Sequence, residues 1–201
     1  VANEYVTATQ LKVPLKIVNA NDDAWLAIVA TGASRAVDRY CGRRFYVDST
    51  TSERYYHAVG ANLVVVDDFS TTTGLVVKTD DNDDGTAETT WAATDYEVSP
   101  RNGLRNGLPW AYTGLVAVEG RYFPTGSRAM VAVTAKWGWP AVPDEVTQAC
   151  YILGAELFKR KDAPFGVADF GEFGAVRIRE DARLRALLQP FRREDVTRGI
   201  A

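Results

Sequence analysis

The sequence predicts an α+β fold: a helical frame of about four helices with an antiparallel β-rich insertion between the second and third. Two observations carry this. Hydrophobic spacing changes from threes and fours to short β-branched and aromatic segments near Arg43, and changes back near Pro143. Neither helical part alone has enough apolar surface for a stable core, so the first and last parts are expected to pack together. The predicted division is 1–42 for the N-terminal helices, 43–139 for the β insertion, and 140–201 for the C-terminal helices and tail.

The first helix spans roughly Ala8 to Ile17, limited by Pro14, whose ring removes a donor and crowds the preceding turn. The second runs from Asn21, a plausible N-cap, to Cys41. Its stripe is Trp25, Leu26, Val29, Ala33, Val37 and Tyr40. Asp22 and Asp23 place negative charge where the helix dipole favours it, and Gly42 supplies the left-handed residue that ends the helix.

Between Arg43 and Trp139 the segments "ERYYHAV", "NLVVVDD", "GLVVKTD", "DYEVSP", "GLVAVEG" and "AMVAVTAKW" read as strands punctuated by Gly, Asn, Asp and Pro. "SPRNGLRNGLPW" reads as an irregular exposed loop. Trp137 and Trp139, two apart, are expected on one strand face, burying area between the sheet and the helices.

A third helix begins at Pro143 with the stripe Val146, Ala149, Cys150, Leu153 and Leu157, and closes on Lys159, Arg160 and Lys161. "DAPFGVADFGEFGAV" then breaks regular structure with Pro164, Gly166, Gly171 and Gly174. A last amphipathic helix covers about Glu180 to Phe191, carrying Leu184, Leu187 and Leu188.

Composition excludes several function classes. With 46% apolar residues and a formal net charge of -3, the chain has the means for a core and no global sign of a nucleic-acid or membrane binder. Aliphatic runs such as Leu63 to Val66 are far shorter than the roughly 20 residues a spanning helix needs, so a soluble chain is expected. Cys41 and Cys150 sit among apolar residues and read as buried, reduced thiols; without a C-x-x-C pair no structural zinc is expected.

The stretch "KTDDNDDGTAETTW" opens with the D-x-N-x-D-G spacing of an EF-hand at Asp80, Asn82, Asp84 and Gly85. The twelfth position, which must supply a bidentate carboxylate, is Trp91. A β-hairpin tip with carboxylates in water is therefore expected, leaving Asp80, Asn82 and Asp84 as weak metal candidates only. His57, the single histidine, lies in a strand-like segment without a nucleophile motif, and no Walker A or G-x-G-x-x-G follows a strand. No enzyme and no cofactor are expected.

Three further segments are "DRYCGRRF", with Arg43 and Arg44 at a helix end, "KWGWPAVPDEV", and "RKDAPFG". Each can be read as a junction; Arg43 and Arg44 would cap carbonyls or pair with acids. In order with "YVTATQLKVPLKI", "VVVDDFST" and the acidic turn, they resemble the head–tail connector adaptor (head-completion) proteins of long-tailed bacteriophages, in the longer form found in phages of actinobacteria. The resemblance runs from about Tyr5 to Gly166; beyond it only a glycine-rich stretch and a charged helix match in kind.

The resemblance implies a virion structural protein at the head–tail interface, assembled in the host cytoplasm. It implies a homo-oligomeric ring, dodecameric in the virion, beneath the portal protein. That ring would offer a platform to the next neck protein (a stopper) or tail component and surround the channel through which DNA passes, without sequence-specific nucleic-acid binding or membrane contact. It assigns portal contacts to the C-terminal part: Phe165, Phe170, Phe173, Arg177, Arg179, Arg183, Arg185, Arg192 and Arg193. The alternatives are another neck or tail ring, such as a stopper or tail terminator, and a calcium- or ligand-binding β module.

Overall fold

A computed structural model describes residues 3–126, 130–160 and 181–193. The fold is α+β: among the described residues there are four α-helices, with antiparallel sheets between the second and third, as the periodicity predicts. The chain forms two compact units: Val1–Arg44 with Val142–Ala201, and Phe45–Ala141.

In the first unit, α1 (Ala8–Leu15) starts at a capping box in which Thr7 and Gln10 satisfy each other's backbone N–H groups. It ends two residues before the expected Ile17, because Lys16 turns left-handed at φ 57° and bonds back to Lys12 and Val13. Pro14 is accommodated in the last turn. The longer α2 (Asp23–Cys41) begins after Asp22 rather than at Asn21, with no side-chain cap, and stops at left-handed Gly42. Its stripe is buried except for half-exposed Trp25.

The third helix, α3 (Asp144–Lys159), follows Pro143 at its N-cap; Val146, Ala149, Cys150, Leu153 and Leu157 are all buried. It packs on both α1 and α2. Gly154 permits the approach of α1: a Cβ there would lie 2.8 Å from Leu11 Cδ2. The short α4 (Ala182–Leu188), capped by Asp181, packs on α3 and runs into a 3-10 turn, Gln189–Phe191. Leu184, Leu188 and Phe191 are buried. Segments far apart in sequence thus share one helical core.

The second unit has a four-stranded sheet in the order β1-β9-β3-β4 (Ser52–Tyr56, Val131–Ala135, Val76–Thr79, Thr89–Thr90). A three-stranded sheet follows the order β2-β8-β5 (Leu63–Phe69, Tyr112–Ala117, Tyr96–Ser99). Val64, Val66, Leu115, Val77, Val131 and Val133 from both sheets meet in one core with Phe69, Trp91, Phe123 and Trp137.

The expected loop at 99–110 is instead partly structured. After a 3-10 turn, Arg101–Gly103, the strands β6 (Leu104–Arg105) and β7 (Leu108–Pro109) form a hairpin. Asn106 and Gly107, at φ 53° and 79°, make the two-residue turn whose twist suits paired strands.

Trp137 and Trp139 lie beyond the end of β9 rather than on its face. Trp137 joins the β core itself, and its indole N–H donates to the Ser52 carbonyl at 2.8 Å. Trp139 is wedged between Phe45 and Trp110, with ring centroids 5.0 and 4.7 Å away, and donates to Asp68 Oδ2 at 2.8 Å. Gly138 between them has φ 113°, and a Cβ there would sit 2.0 Å from the Tyr46 carbonyl oxygen. Only glycine allows that approach.

Candidate functional site

The acidic segment is a hairpin connection, with Lys78 opposite Thr90 and Thr79 opposite Thr89. Its first carboxylate is not in water. Asp80 is fully buried, accepting the Asp84 N–H on Oδ1 (3.2 Å) and the Gly85 N–H on Oδ2 (2.7 Å). The expectation of solvated carboxylates fails there because the turn's own amides replace water as donors. Asn82 Oδ1 also accepts from the Asp84 N–H, at 3.1 Å, and Asp84 Oδ1 takes the Thr86 N–H at 2.8 Å.

Of the three candidates, Asp80 and Asp84 are brought together with Glu88, one oxygen from each lying within 4.8 Å of the others. Glu88 is not among the candidates that the D-x-N-x-D-G spacing marks, although it occupies the ninth loop position, where an EF-hand often binds through water. Trp91, at the twelfth, is core: it stacks on Phe123 at 4.5 Å, and its N–H donates to Thr79 Oγ1 at 2.9 Å.

His57 falls just past β1 and is exposed, not within the strand as expected. The strand ends where the register with β9 ends, at Tyr56 opposite Val131. Cys41 and Cys150 are buried free thiols, as expected. Burial pushes Cys41 up to about 12 and raises Cys150 as well, so neither is a thiolate nucleophile near neutrality.

Among the predicted partner-binding residues, Phe165, Phe170, Phe173, Arg177 and Arg179 lie outside the described residues. Arg183, Arg185 and Arg192 are exposed and Arg193 is half-buried. The segment after α4 is sewn to the end of α2. The Arg193 N–H donates to the Cys41 carbonyl at 2.8 Å, and the Arg192 guanidinium stands 5.5 Å from the Tyr40 ring centre.

The same end of α2 holds a polar contact that sequence spacing could not reveal. Tyr5 Oη donates to Asp38 Oδ1 at 2.5 Å, the Tyr5 N–H donates to Ser34 Oγ at 3.0 Å, and Arg35 reaches Asp38 Oδ2 at 3.3 Å. Burial raises the Asp38 carboxyl to about 6, against the opposing pull of the Tyr5 hydroxyl, Arg35 and Arg44. Among the described residues no helix is long and apolar enough to cross a membrane.

Solved chains share this fold over nearly its whole length. One, in the neck of an empty GTA particle computed with C6 symmetry, is 16% identical, with 96% of this chain and 91% of that chain covered and a TM-score of 0.57. Another, in the neck of a native GTA particle computed with C12 symmetry, is 18% identical over 95% of this chain and 93% of that one, at a TM-score of 0.52. A third, from the virion of a native gene transfer agent (GTA) particle, is 16% identical over 98% and 94%, at 0.54. At such identities it is the fold that is shared. No protein-family model matches the chain, and no curated protein sequence does.

Proposed function

We propose that this protein is a non-enzymatic structural component of the neck of a tailed-phage-like virion, in the adaptor position. It forms a ring on the portal protein, offers a platform to the next neck or tail protein and surrounds the channel through which DNA passes. The observation that carries this reading is the fold shared end to end with chains of two particle necks computed with C6 and C12 symmetry. A ring of this kind closes by rotation through two different complementary patches on each subunit. A net charge of -3 suits passage of DNA better than a surface that grips phosphates.

Portal contacts are assigned to the C-terminal part, with Phe165, Phe170 and Phe173 as apolar anchors and Arg177, Arg179, Arg183, Arg185, Arg192 and Arg193 facing acidic groups. Because Leu184 and Leu188 belong to the helical core, deleting the whole C-terminus would damage the frame. Replacing the three phenylalanines by serine is the cleaner test.

Electron microscopy of the purified chain, alone and with its portal protein, decides the reading. The expected result is a ring with an axial channel seated on the portal, lost in the triple phenylalanine variant. A wild-type chain that neither forms a ring nor joins the portal overturns it.

A further inference from the structure

Two features at opposite ends of the β unit are left unused by the assignments above. The first is the β6–β7 hairpin. All six residues from Leu104 to Pro109 are exposed, Leu104 at 48% and Leu108 at 54%. An isolated two-stranded hairpin is marginal in water, yet this one is fixed at its root. Trp110 is buried and donates its backbone N–H to the Gly103 carbonyl at 2.8 Å, and Gly103 lies against the Tyr112 ring. The Arg105 guanidinium stands over the Trp110 ring, 4.9 Å from its centre, a cation–π contact at the root of the hairpin. Residues 100–110 carry no acid and two arginines, of which Arg101 pairs with Glu97 and Arg105 belongs to the hairpin.

The second feature is the β3–β4 connection, residues 80–88, with five acids and no base. Asp81, Asp84 and Glu88 are exposed. Gly126 lies against Asp83, so the segment bearing Tyr122, 65% exposed, runs beside this loop. Strand register places the two features apart: the Asp80 N–H donates to Met130 at the start of β9, whereas Trp110 packs on Trp139 beyond its end. Extended chain over that span covers up to about 30 Å.

We infer that these are the two halves of one heterologous contact: the arginine- and leucine-bearing hairpin of one copy docks on the acidic β3–β4 loop of the next. The occupant is a second copy of this chain because the complementary charge lies on the chain itself, at the other end of the same unit. A head-to-tail contact requires two different patches that do not satisfy each other within one subunit. The inference rests on the ring reading and names the surfaces that build it. Opposite charges across the contact steer encounter and fix register, while the leucines and Tyr122 supply the apolar centre.

Sedimentation velocity on the full chain, alone and on portal-bearing particles, tests it. Wild type is expected to associate, more weakly as salt rises. Leu104→Asp/Leu108→Asp and Asp81→Lys/Asp84→Lys/Glu88→Lys should each lower the association constant roughly tenfold or more, with melting temperatures near wild type. If the leucine variant melts early, Arg105→Glu, confined to an exposed group, replaces it. A one-to-one mixture of the two defective chains retains one good hairpin and one good loop, so it should stop at a heterodimer. If wild type assembles and the hairpin variant assembles equally well, this contact is wrong while the ring reading stands. A wild-type chain that stays monomeric in both settings overturns both.

Discussion

The two units of this protein bury polar groups in different ways. In the helical unit Asp38 is half-buried, and its partners are side chains: the Tyr5 hydroxyl and the guanidinium of Arg35. In the β unit the buried acids among the described residues are Asp68 and Asp80, met by the indole N–H of Trp139 and by the backbone amides of Asp84 and Gly85. Side-chain partners have rotamer freedom and can be reached by solvent; turn amides and a wedged indole are fixed by the fold. The helical unit should therefore respond to pH at Asp38, whereas the β unit should respond to loss of packing.

The largest effect tests the second half of that contrast. Trp139→Ala removes a buried ring and leaves Asp68 without the indole donor, an expected loss of about 3–5 kcal/mol. Gly138→Ala should be of comparable severity, because its Cβ would meet backbone rather than a movable side chain. Chemical denaturation read by tryptophan fluorescence checks both. A Trp139→Ala protein that unfolds at the wild-type midpoint would show that the ring is not held by its contacts within the β unit.

The next effect tests the first half. With its pKa raised from 3.8 to about 6 by burial, Asp38 favours the folded state when protonated. Its contribution is complete below the unfolded value and is lost as pH rises through about 6. The difference corresponds to roughly 2–3 kcal/mol between pH 4 and pH 8. Asp38→Asn keeps an acceptor for Tyr5 and should be more stable than wild type at pH 8, with the gap closing by pH 4. Tyr5→Phe removes a bond that holds the carboxyl down, so it should steepen the dependence. Equal melting-temperature differences at both pH values would place the acid in a more solvated setting.

What the sequence made legible divides along the same line. Helical stripes were readable because a 3.6-residue period and burial on one face are the same fact, and every stripe residue but half-exposed Trp25 and Leu187 is buried. The longer strands were readable from β-branched and aromatic residues set between Gly, Asn, Asp and Pro. The two-residue strands β4, β6 and β7 are too short to show that composition, so the sequence around Asn106–Gly107 reads as loop despite its hairpin signature. The buried state of Asp80 depends on amides presented by a turn, and the half-buried state of Asp38 on a tyrosine 33 residues away. Neither partner is implied by residue type at a fixed spacing. The exposed leucines of the hairpin could be recognised only once its strands were placed.

The smallest expected effect is that of calcium. An EF-hand closes with a bidentate carboxylate at its twelfth position, and here that position is a tryptophan stacked in the core. Both Asp80 oxygens already accept backbone N–H groups, and Asn82 Oδ1 accepts another. Asp84 and Glu88 are left as exposed ligands beside a committed one. A site with a dissociation constant near 1 mM adds only about 0.4 kcal/mol at 1 mM calcium. For a chain of this length that corresponds to a rise of about 1 °C. Asp80→Ala should lower stability with or without calcium, because it leaves the Gly85 N–H without its carboxylate and the Asp84 N–H with Asn82 Oδ1 alone, whereas Asp84→Ala and Glu88→Ala should change little in either condition. Calorimetry at zero and millimolar calcium separates the cases. A rise of several degrees that disappears in Glu88→Ala would mean that the loop's carboxylates serve a cation before they serve the turn, and the contrast between the two units would have to be redrawn.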